Sequence, residues 1–394
     1  MTRGAPKPVR WCESVSHAAN ENPLLQMNLR AEVFTTRKDL DPIAGQWNSV
    51  LRASKSSTIF LTWEWISAWL DAVRPDARVF VVIVRDRDAR LIAIAPFYRT
   101  RLRLLGLVPY RCLRVIGDCD SGAEYPDVII RSGFEHQAMS SVLGALLEHR
   151  DMWDCMWLPN VAGWTGALDR FERGCAGCEL HLHERVRNFA AVNLPATHDA
   201  YLMLLSHKRR AYVRRETRRF MASSNVELIR CESRNDLPEM LEVLYDLHDR
   251  RWSASGQLGS FARQPRMRCF YGNFAQTALD NGWLRLYALK VDGAIRAVQY
   301  GYAYDGTFYA LQEGYDPHQK NGIGNVLRNL VFRACIEEGL QEYDFLAGFT
   351  DHKRLWRAAR RPGYDLFLGR RSLKNRLMFA RPLWPTGRYI DESA

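Results

Sequence analysis

The chain has 394 residues, of which 47% are hydrophobic, 11% aromatic and 25% charged. That composition excludes a disordered or fibrous protein and exceeds what one ordinary domain needs, so two domains with two sizeable cores are expected. The net charge is +11, and the nine cysteines, an odd number spread along the chain, read as reduced thiols rather than a disulfide framework.

No run of 18 uncharged apolar residues occurs, and the first 27 positions carry no apolar stretch behind Arg3, Lys7 and Arg10. The expectation is a cytoplasmic protein with neither a secretion signal nor a membrane span. Residues 1–28 are polar and proline-punctuated, and are read as a disordered lead.

From Leu29 the pattern becomes periodic. Leu40, Ile43, Ala44, Trp47 and Leu51 recur at spacings of three and four, as do the apolar residues of 63–73, so both segments are read as helices with a buried face; Trp63, Trp65 and Trp69 are core. Residues 78–84, the turn Asp86-Arg87-Asp88 and residues 90–98 form a hairpin. Cys175-Ala-Gly-Cys178 with His181 and His183 has two Cys and two His, but the pairs are too close for a zinc finger and the histidines alternate like strand residues; no metal is expected. A strand over 188–194 leads to Leu194-Pro195, where the first half ends.

The second half opens with a helix over 200–222. It contains seven basic residues, Lys208, Arg209, Arg210, Arg214, Arg215, Arg218 and Arg219, against Glu216. Further on, Leu241, Leu244, Tyr245, His248 and Trp252 put His248 on the apolar stripe of another helix. Three strands follow, over 283–291, 294–304 and 307–315, joined by Asp292-Gly293 and Asp305-Gly306 into a meander. A helix over 325–338 is stopped by Gly339, and 343–346 reads as a short apolar strand whose Asp344 must be paired. Residues 353–388 hold eleven basic residues against the single acid Asp365.

Each half thus starts with helices and turns into an antiparallel meander, which suggests an internal duplication: an N-terminal domain 29–195, a C-terminal domain 196–370 and a basic extension 371–394. Between the third strand of the second meander and its helix lies Gln319-Lys320-Asn321-Gly322-Ile323-Gly324. Strand, glycine-containing turn and helix make a phosphate-binding arrangement, because glycine lets backbone N–H groups approach an anion at the positive end of a helix. The spacing is neither a dinucleotide fingerprint nor a P-loop.

Gln-x-x-Gly-x-Gly after an antiparallel meander resembles the acyl-CoA loop of the GNAT acyltransferases. Ser206-His207-Lys208-Arg209-Arg210, Leu247-His248-Asp249-Arg250-Arg251-Trp252 and Tyr343-Asp344-Phe345-Leu346-Ala347-Gly348 with Lys353 and Trp356 resemble the CelD/BcsL branch, linked to cellulose and exopolysaccharide production. In its tandem build that branch is similar to the FemAB transferases. The resemblance spans about residues 30 to 360 and implies an α/β (α+β) fold of two tandem GNAT-like domains, each a mixed, mostly antiparallel sheet flanked by helices. The N-terminal half departs from it: its corresponding stretch, Gly117 to Glu124, has no glycine loop, so only the C-terminal half is expected to hold the donor, and the N-terminal half to shape the acceptor cleft.

The implied reaction passes an acyl group from acyl-CoA, or a related phosphopantetheine thioester, to an amine of a cell-envelope precursor, polysaccharide or lipid. A long-chain acyl donor with an amino-lipid such as a sphingoid base, and aminoacyl transfer in the FemAB manner, fit equally well. Such a transfer needs a group to take the amine proton and an acid for the leaving thiolate, but no covalent nucleophile. Strand alternation puts Tyr309, Leu311, Glu313 and Tyr315 on one face. Glu313 is the expected base through a water, His248 a base or acceptor binder, and Tyr315 the acid. Gln319, Lys320, Asn321, Gly322, Ile323, Gly324 and Asn325 are expected to bind the donor, and Trp252, Asp344 and Lys353 the substrate. The basic C-terminal segment suits an anionic inner-membrane surface. A nucleic-acid-binding protein would explain the basic clusters but leave the glycine loop without a use, and an assembly factor would bind the donor without turnover; no specific nucleic acid is expected.

Overall fold

In a computed structural model, residues 29–104, 108–223, 225–318, 322–370 and 372–379 are described. The lead 1–28, loop residues Gln319, Lys320 and Asn321, and the basic extension from residue 380 lie outside that set.

The helices form where the periodicity asks for them. Asp41–Arg52 buries Ile43, Trp47, Val50 and Leu51, and Pro42 sits in its first turn, where no N–H is needed. Trp63–Ala72 is capped by Thr62, whose hydroxyl accepts the N–H of Trp65 at 3.2 Å. The single helix expected over 200–222 is two, His198–Leu204 and His207–Ser223. Leu205 turns extended to bury its side chain, and the Ser206 hydroxyl accepts the N–H of Arg209 at 3.3 Å, starting the second helix afresh. Among the described residues, no helix is long and apolar enough to cross a membrane.

The strands among the described residues are β1 (Arg30–Phe34), β2 (Arg78–Arg85), β3 (Leu91–Leu104), β4 (Val108–Val115), β5 (Ile129–Ile130), β6 (Cys155–Ala162), β7 (Leu180–Asn193), β8 (Val226–Arg230), β9 (Leu284–Val291), β10 (Ala294–Tyr304), β11 (Thr307–Tyr315), β12 (Glu342–Ala347) and β13 (Ala359–Arg370). They form one sheet in the order β1-β2-β3-β4-β6-β13-β7-β12-β11-β10-β9-β8, with β5 on β3. The order mirrors about its centre: each side is an antiparallel meander followed by one parallel pair, β4 with β6 and β11 with β12. The centre is an exchange. β7, the last strand of the first half, pairs with β12 of the second, while β13, the last strand of the second half, pairs with β6 of the first. β7 and β13 then pair with each other along the whole of β13, from Ala359–Ala191 to Arg370–Leu180.

A buried charge closes this seam. Asp365 on β13 is fully buried and receives Arg185 and Arg187 from β7 and the N–H of Asn160 from β6. Burial pushes its carboxyl pKa up, but Arg187, the Asn160 N–H and Arg185 outweigh burial and hold it below its ordinary value. Beyond the seam, the helix Leu373–Phe379 docks back on the first half: Asn375 donates to the Asp154 carbonyl at 2.9 Å, and the Tyr110 hydroxyl donates to the Lys374 carbonyl.

The two main cores do not divide at residue 195. One is shared: Trp65 packs edge-on against Phe270 (4.7 Å), Phe274 (4.8 Å) and Tyr302 (5.9 Å) of the second half. The other lies mainly in the second half, with Ala190 and Val192 of β7 joining it, and is centred on a stack of rings, with Phe332 against Tyr343 (4.2 Å), Tyr201 (4.4 Å) and Trp356 (5.6 Å). Each such large side chain taken from water contributes about 1.5–3 kcal/mol, so the shared core couples the halves as strongly as it stabilises either.

Candidate active site

The parallel pair β11–β12 is short. Thr307, Phe308 and Tyr309 pair with Glu342, Tyr343 and Asp344, after which the strands part and the sheet opens. On β12 the pairing with β7 skips from Asp344 to Ala347, and Leu346 takes a left-handed φ of +62°. Lys353, from the short helix Asp351–Leu355, donates to the carbonyls of Phe345 (2.8 Å), Leu346 (3.3 Å) and Ala347 (2.6 Å). Lys353, expected to bind substrate, places its ammonium on this irregular backbone; its pKa falls to about 8, through burial first.

On β11 the alternation expected over 309–315 is broken. The register with β10 shifts between Tyr300–Gln312 and Gly301–Ala310, which leaves Leu311 bulged. Tyr309 and Leu311 therefore face the shared core, while Tyr315 packs on the second-half core and Glu313 reaches the helix Ile323–Glu337. A single inserted residue turns Glu313 and Tyr315 toward the glycine loop. Gln312 and Gly314 turn the other way, toward His248.

The helix Ile323–Glu337 begins at Gly322, whose φ of +116° is a left-handed value that glycine adopts without strain. Its carbonyl accepts the N–H groups of Asn325 (2.9 Å) and Val326 (3.0 Å). A Cβ on Gly324 would sit 3.2 Å from the Tyr315 ring and 3.4 Å from Glu313 Oε1, so Glu313, Tyr315 and the glycine turn adjoin one another. Ile323 is buried and anchors the first turn; Asn325 Oδ1 accepts Arg209 at 2.7 Å, and Arg209 lies over the Trp356 ring at 4.5 Å.

Arg328, one turn further on, is nearly buried and donates to Glu313 Oε2 and to His352 Nε2, the latter at 2.7 Å. Burial opposes its charge and Glu313 more than restores it. A guanidinium can only donate, so His352 accepts through Nε2 and is neutral. His352 is exposed as a residue, but its inner edge is packed on Arg328; burial of that edge, then the Arg328 charge, push its pKa down to about 4. Arg251 completes the group, donating to the Glu313 carbonyl at 3.0 Å and lying 5.0 Å over the Tyr315 ring.

Across the opening stands a second cluster, supplied in part by the first half. Asp344 is buried and accepts the Tyr125 hydroxyl at 2.8 Å and the Leu346 N–H at 2.7 Å; burial raises its pKa to about 6. Glu124, next to Tyr125, is bonded by the Ala347 N–H and Asn160, while its Oε2 is buried with no hydrogen-bond partner. Burial, then the Asp344 charge, push Glu124 up to about 8.

His248 lies elsewhere. It is 2% exposed, behind β11, where Nε2 accepts Trp252 Nε1 at 3.0 Å and Ser260 Oγ approaches at 3.3 Å, and burial lowers its pKa. It does not share a strand face with Glu313, and Trp252 serves this packing. Sequence reasoning missed Arg328, His352, Arg251 and Glu124. Only Arg328 left a signal, a charge inside the apolar stripe of Ile323, Val326, Leu327, Leu330 and Val331.

Residues 207–354 match the family model described as acetyltransferase (GNAT) domain. That segment is an N-acyltransferase domain of the GNAT type. Among solved structures, the chain is similar to FemX, at 11% identity and a TM-score of 0.62 over 88% of this chain and 98% of that one. It is also similar to a conserved protein of unknown function from Bacteroides thetaiotaomicron VPI-5482 (13% identity, TM-score 0.51, 83% of this chain and 97% of that one). A tandem GNAT protein from the clavulanic acid biosynthesis pathway matches with 12% identity and a TM-score of 0.46 over 86% and 98%. The search of curated proteins gave no match. At these identities the first two likenesses speak to fold, and the fold is the mixed, mostly antiparallel sheet flanked by helices that the sequence led us to expect.

Proposed function

We propose that the protein moves an acyl group from a phosphopantetheine thioester, with acyl-CoA as donor, to an amine of a cell-envelope precursor, polysaccharide or lipid. The observation that carries this reading is the glycine start of the helix Ile323–Glu337, set against Glu313 and Tyr315 where β11 and β12 part. The bare backbone at Gly322 and Gly324, with the positive end of that helix, suits a pyrophosphate. Gln319, Lys320 and Asn321 are proposed to complete the donor loop.

In this reading the amine nitrogen bonds to the thioester carbonyl carbon as the C–S bond breaks. Glu313 takes the amine proton through a water at Oε1, the oxygen that Arg328 does not hold and that lies 3.9 Å from Arg251 Nη1, and Tyr315 returns a proton to the thiolate. Asp344, Tyr125 and Glu124 border the acceptor, and Trp252 and His248 act only by backing β11. The protein works in the cytoplasm, held at the anionic inner leaflet by its basic C-terminal segment.

The test is Gly324→Val, which sets branched carbon against Tyr315 and Glu313. Calorimetry should find CoA binding abolished while circular dichroism and Tm stay close to wild type. Normal CoA binding by the variant overturns the donor site.

A second reading, aminoacyl transfer from tRNA, is favoured by the helix His207–Ser223. Its Lys208, Arg214, Arg215 and Arg218 are exposed, while Arg209 on its inner side reaches Asn325 of the donor helix. Binding of aminoacyl-tRNA with a steep salt dependence, and none of CoA, would select it.

A further inference from the structure

At the far end of the first half's strands lies a cavity of about 310 Å³ that the acyl-transfer reading does not use. Its wall includes Arg74, Arg78, Arg99, Arg101 and Arg111, against Asp76 alone among acids. Four of these arginines come from three adjacent strands. Arg78 of β2 stands directly opposite Arg99 of β3, and Arg101 of β3 directly opposite Arg111 of β4. Arg99 and Arg101, two apart, share one face of β3.

Like charges at facing positions destabilise a sheet unless something lies between them. One of the four has a partner: Arg111 pairs with Asp154, which also takes Lys374 at 3.0 Å. Among the described residues, no carboxylate lies within ion-pair distance of Arg78, Arg99 or Arg101, and Arg99 Nε is buried without a hydrogen-bond partner. Burial first, then the charges of Arg78 and Arg111, lower the Arg99 pKa, and the charge of Asp151 only partly opposes them. A sheet that sets unpaired guanidiniums face to face around a cavity of this size is shaped for an anion of several charges.

We infer that this cavity binds a phosphorylated ligand carrying at least two phosphate charges, gripped by Arg78, Arg99 and Arg101. Guanidiniums bind phosphate oxygens in pairs, and a pyrophosphate group offers enough oxygens for three of them. The site stands apart from the acyl-transfer centre: β4 leads from Arg111 at the cavity to Val115, about 13 Å along the strand, before the chain turns toward Glu124. The same chemistry could arrive as a soluble diphosphate or as a phosphomonoester lipid headgroup.

The experiment uses the full chain at low ionic strength, with inorganic pyrophosphate as the soluble probe and phosphatidic acid vesicles, against phosphatidylcholine vesicles, as the lipid probe. Pyrophosphate should raise the wild-type Tm by about 2 °C or more. The double variant Arg99→Gln, Arg101→Gln should melt higher than wild type without ligand, because the repulsion is relieved, and should lose the pyrophosphate shift. Exposed Arg78→Gln gives the same two readouts if the double variant does not fold. A pyrophosphate shift without vesicle binding assigns a soluble ligand, and sedimentation with phosphatidic acid vesicles alone, lost in the variants, assigns the headgroup. No response to either probe, or a response that the variants keep, overturns the inference.

Discussion

The two parallel strand pairs, β4–β6 and β11–β12, are counterparts in topology and opposites in content. After β11 the chain passes through Asp316–Gly322 straight into a helix, and the glycine turn adjoins the parting of the strands. After β4 it makes the longer passage Ile116–Phe134 before its helix. That passage turns at Gly117, where φ is +97° and a Cβ would lie 2.9 Å from the Trp65 ring, so the loop is packed down on the core and its far end delivers Glu124 and Tyr125 to Asp344 of the other half. Two copies of one topology thus come to different ends: one opens beside a bare helix start, and the other extends a loop into its sister. The difference explains why a glycine loop is seen once.

The comparison assumes that the halves depend on each other, and the exchange of β7 and β13 is where it is easiest to break. A chain ending at Ala358 lacks β13, which leaves β6 and β7 without the strand between them and takes away Asp365, the partner of Arg185 and Arg187. We expect it to lose cooperative unfolding altogether and to accumulate as insoluble material. If the truncated chain melts in one sharp transition, with tryptophan fluorescence as in the full protein, β13 is not what ties the two halves together.

The next effect sharpens the assignment of faces on β11. Glu313→Gln keeps the shape beside Gly324 but cannot take a proton, so turnover should drop by about 10²- to 10⁴-fold with CoA binding nearly unchanged. His248→Ala, on the opposite face, should mainly lower Tm, since it removes the acceptor of Trp252 and Ser260 from a buried site. The reverse pattern, a large loss of turnover at His248 and little at Glu313, would return the base to the helix Leu237–Ser253.

Much of this was legible in the residues. The Asp-Gly turns fixed the second meander, and the glycine pair with the following apolar run marked the start of the helix Ile323–Glu337. What failed was alternation over 309–315, because strand patterns carry no mark of one bulged residue, and that residue decides which way Glu313 points. The exchange was hidden for another reason: β13 is as plausible a strand beside its own half as beside the other, and the choice between them is made by long-range pairing. Arg328 with His352, and Glu124 with Asp344, meet only once the sheet is built.

The smallest expected effect tests whether the first half truly reaches into the second. Glu124 has its pKa raised from an ordinary 4.5 to about 8, so the folded state prefers it protonated, and the stability tied to that proton is complete at acid pH and lost as pH rises from about 4.5 through 8. Asp344 has the same sign, but its loss is finished by about pH 6. Lys353, lowered from 10.5 to about 8, has the opposite sign and gains stability only above about pH 8. Between pH 6 and 8 the three groups therefore separate, and of the three only Glu124 contributes to the slope. Glu124→Gln keeps the size and cannot ionise, so the difference in Tm between wild type and variant should move steadily against the wild type from about pH 4.5 through 8, and hold constant below about 4.5, where Glu124 is protonated in the folded and the unfolded chain alike. Parallel Tm curves from pH 6 to 8 would mean that Glu124 is ionised and solvated there, and that its loop does not seal against Asp344.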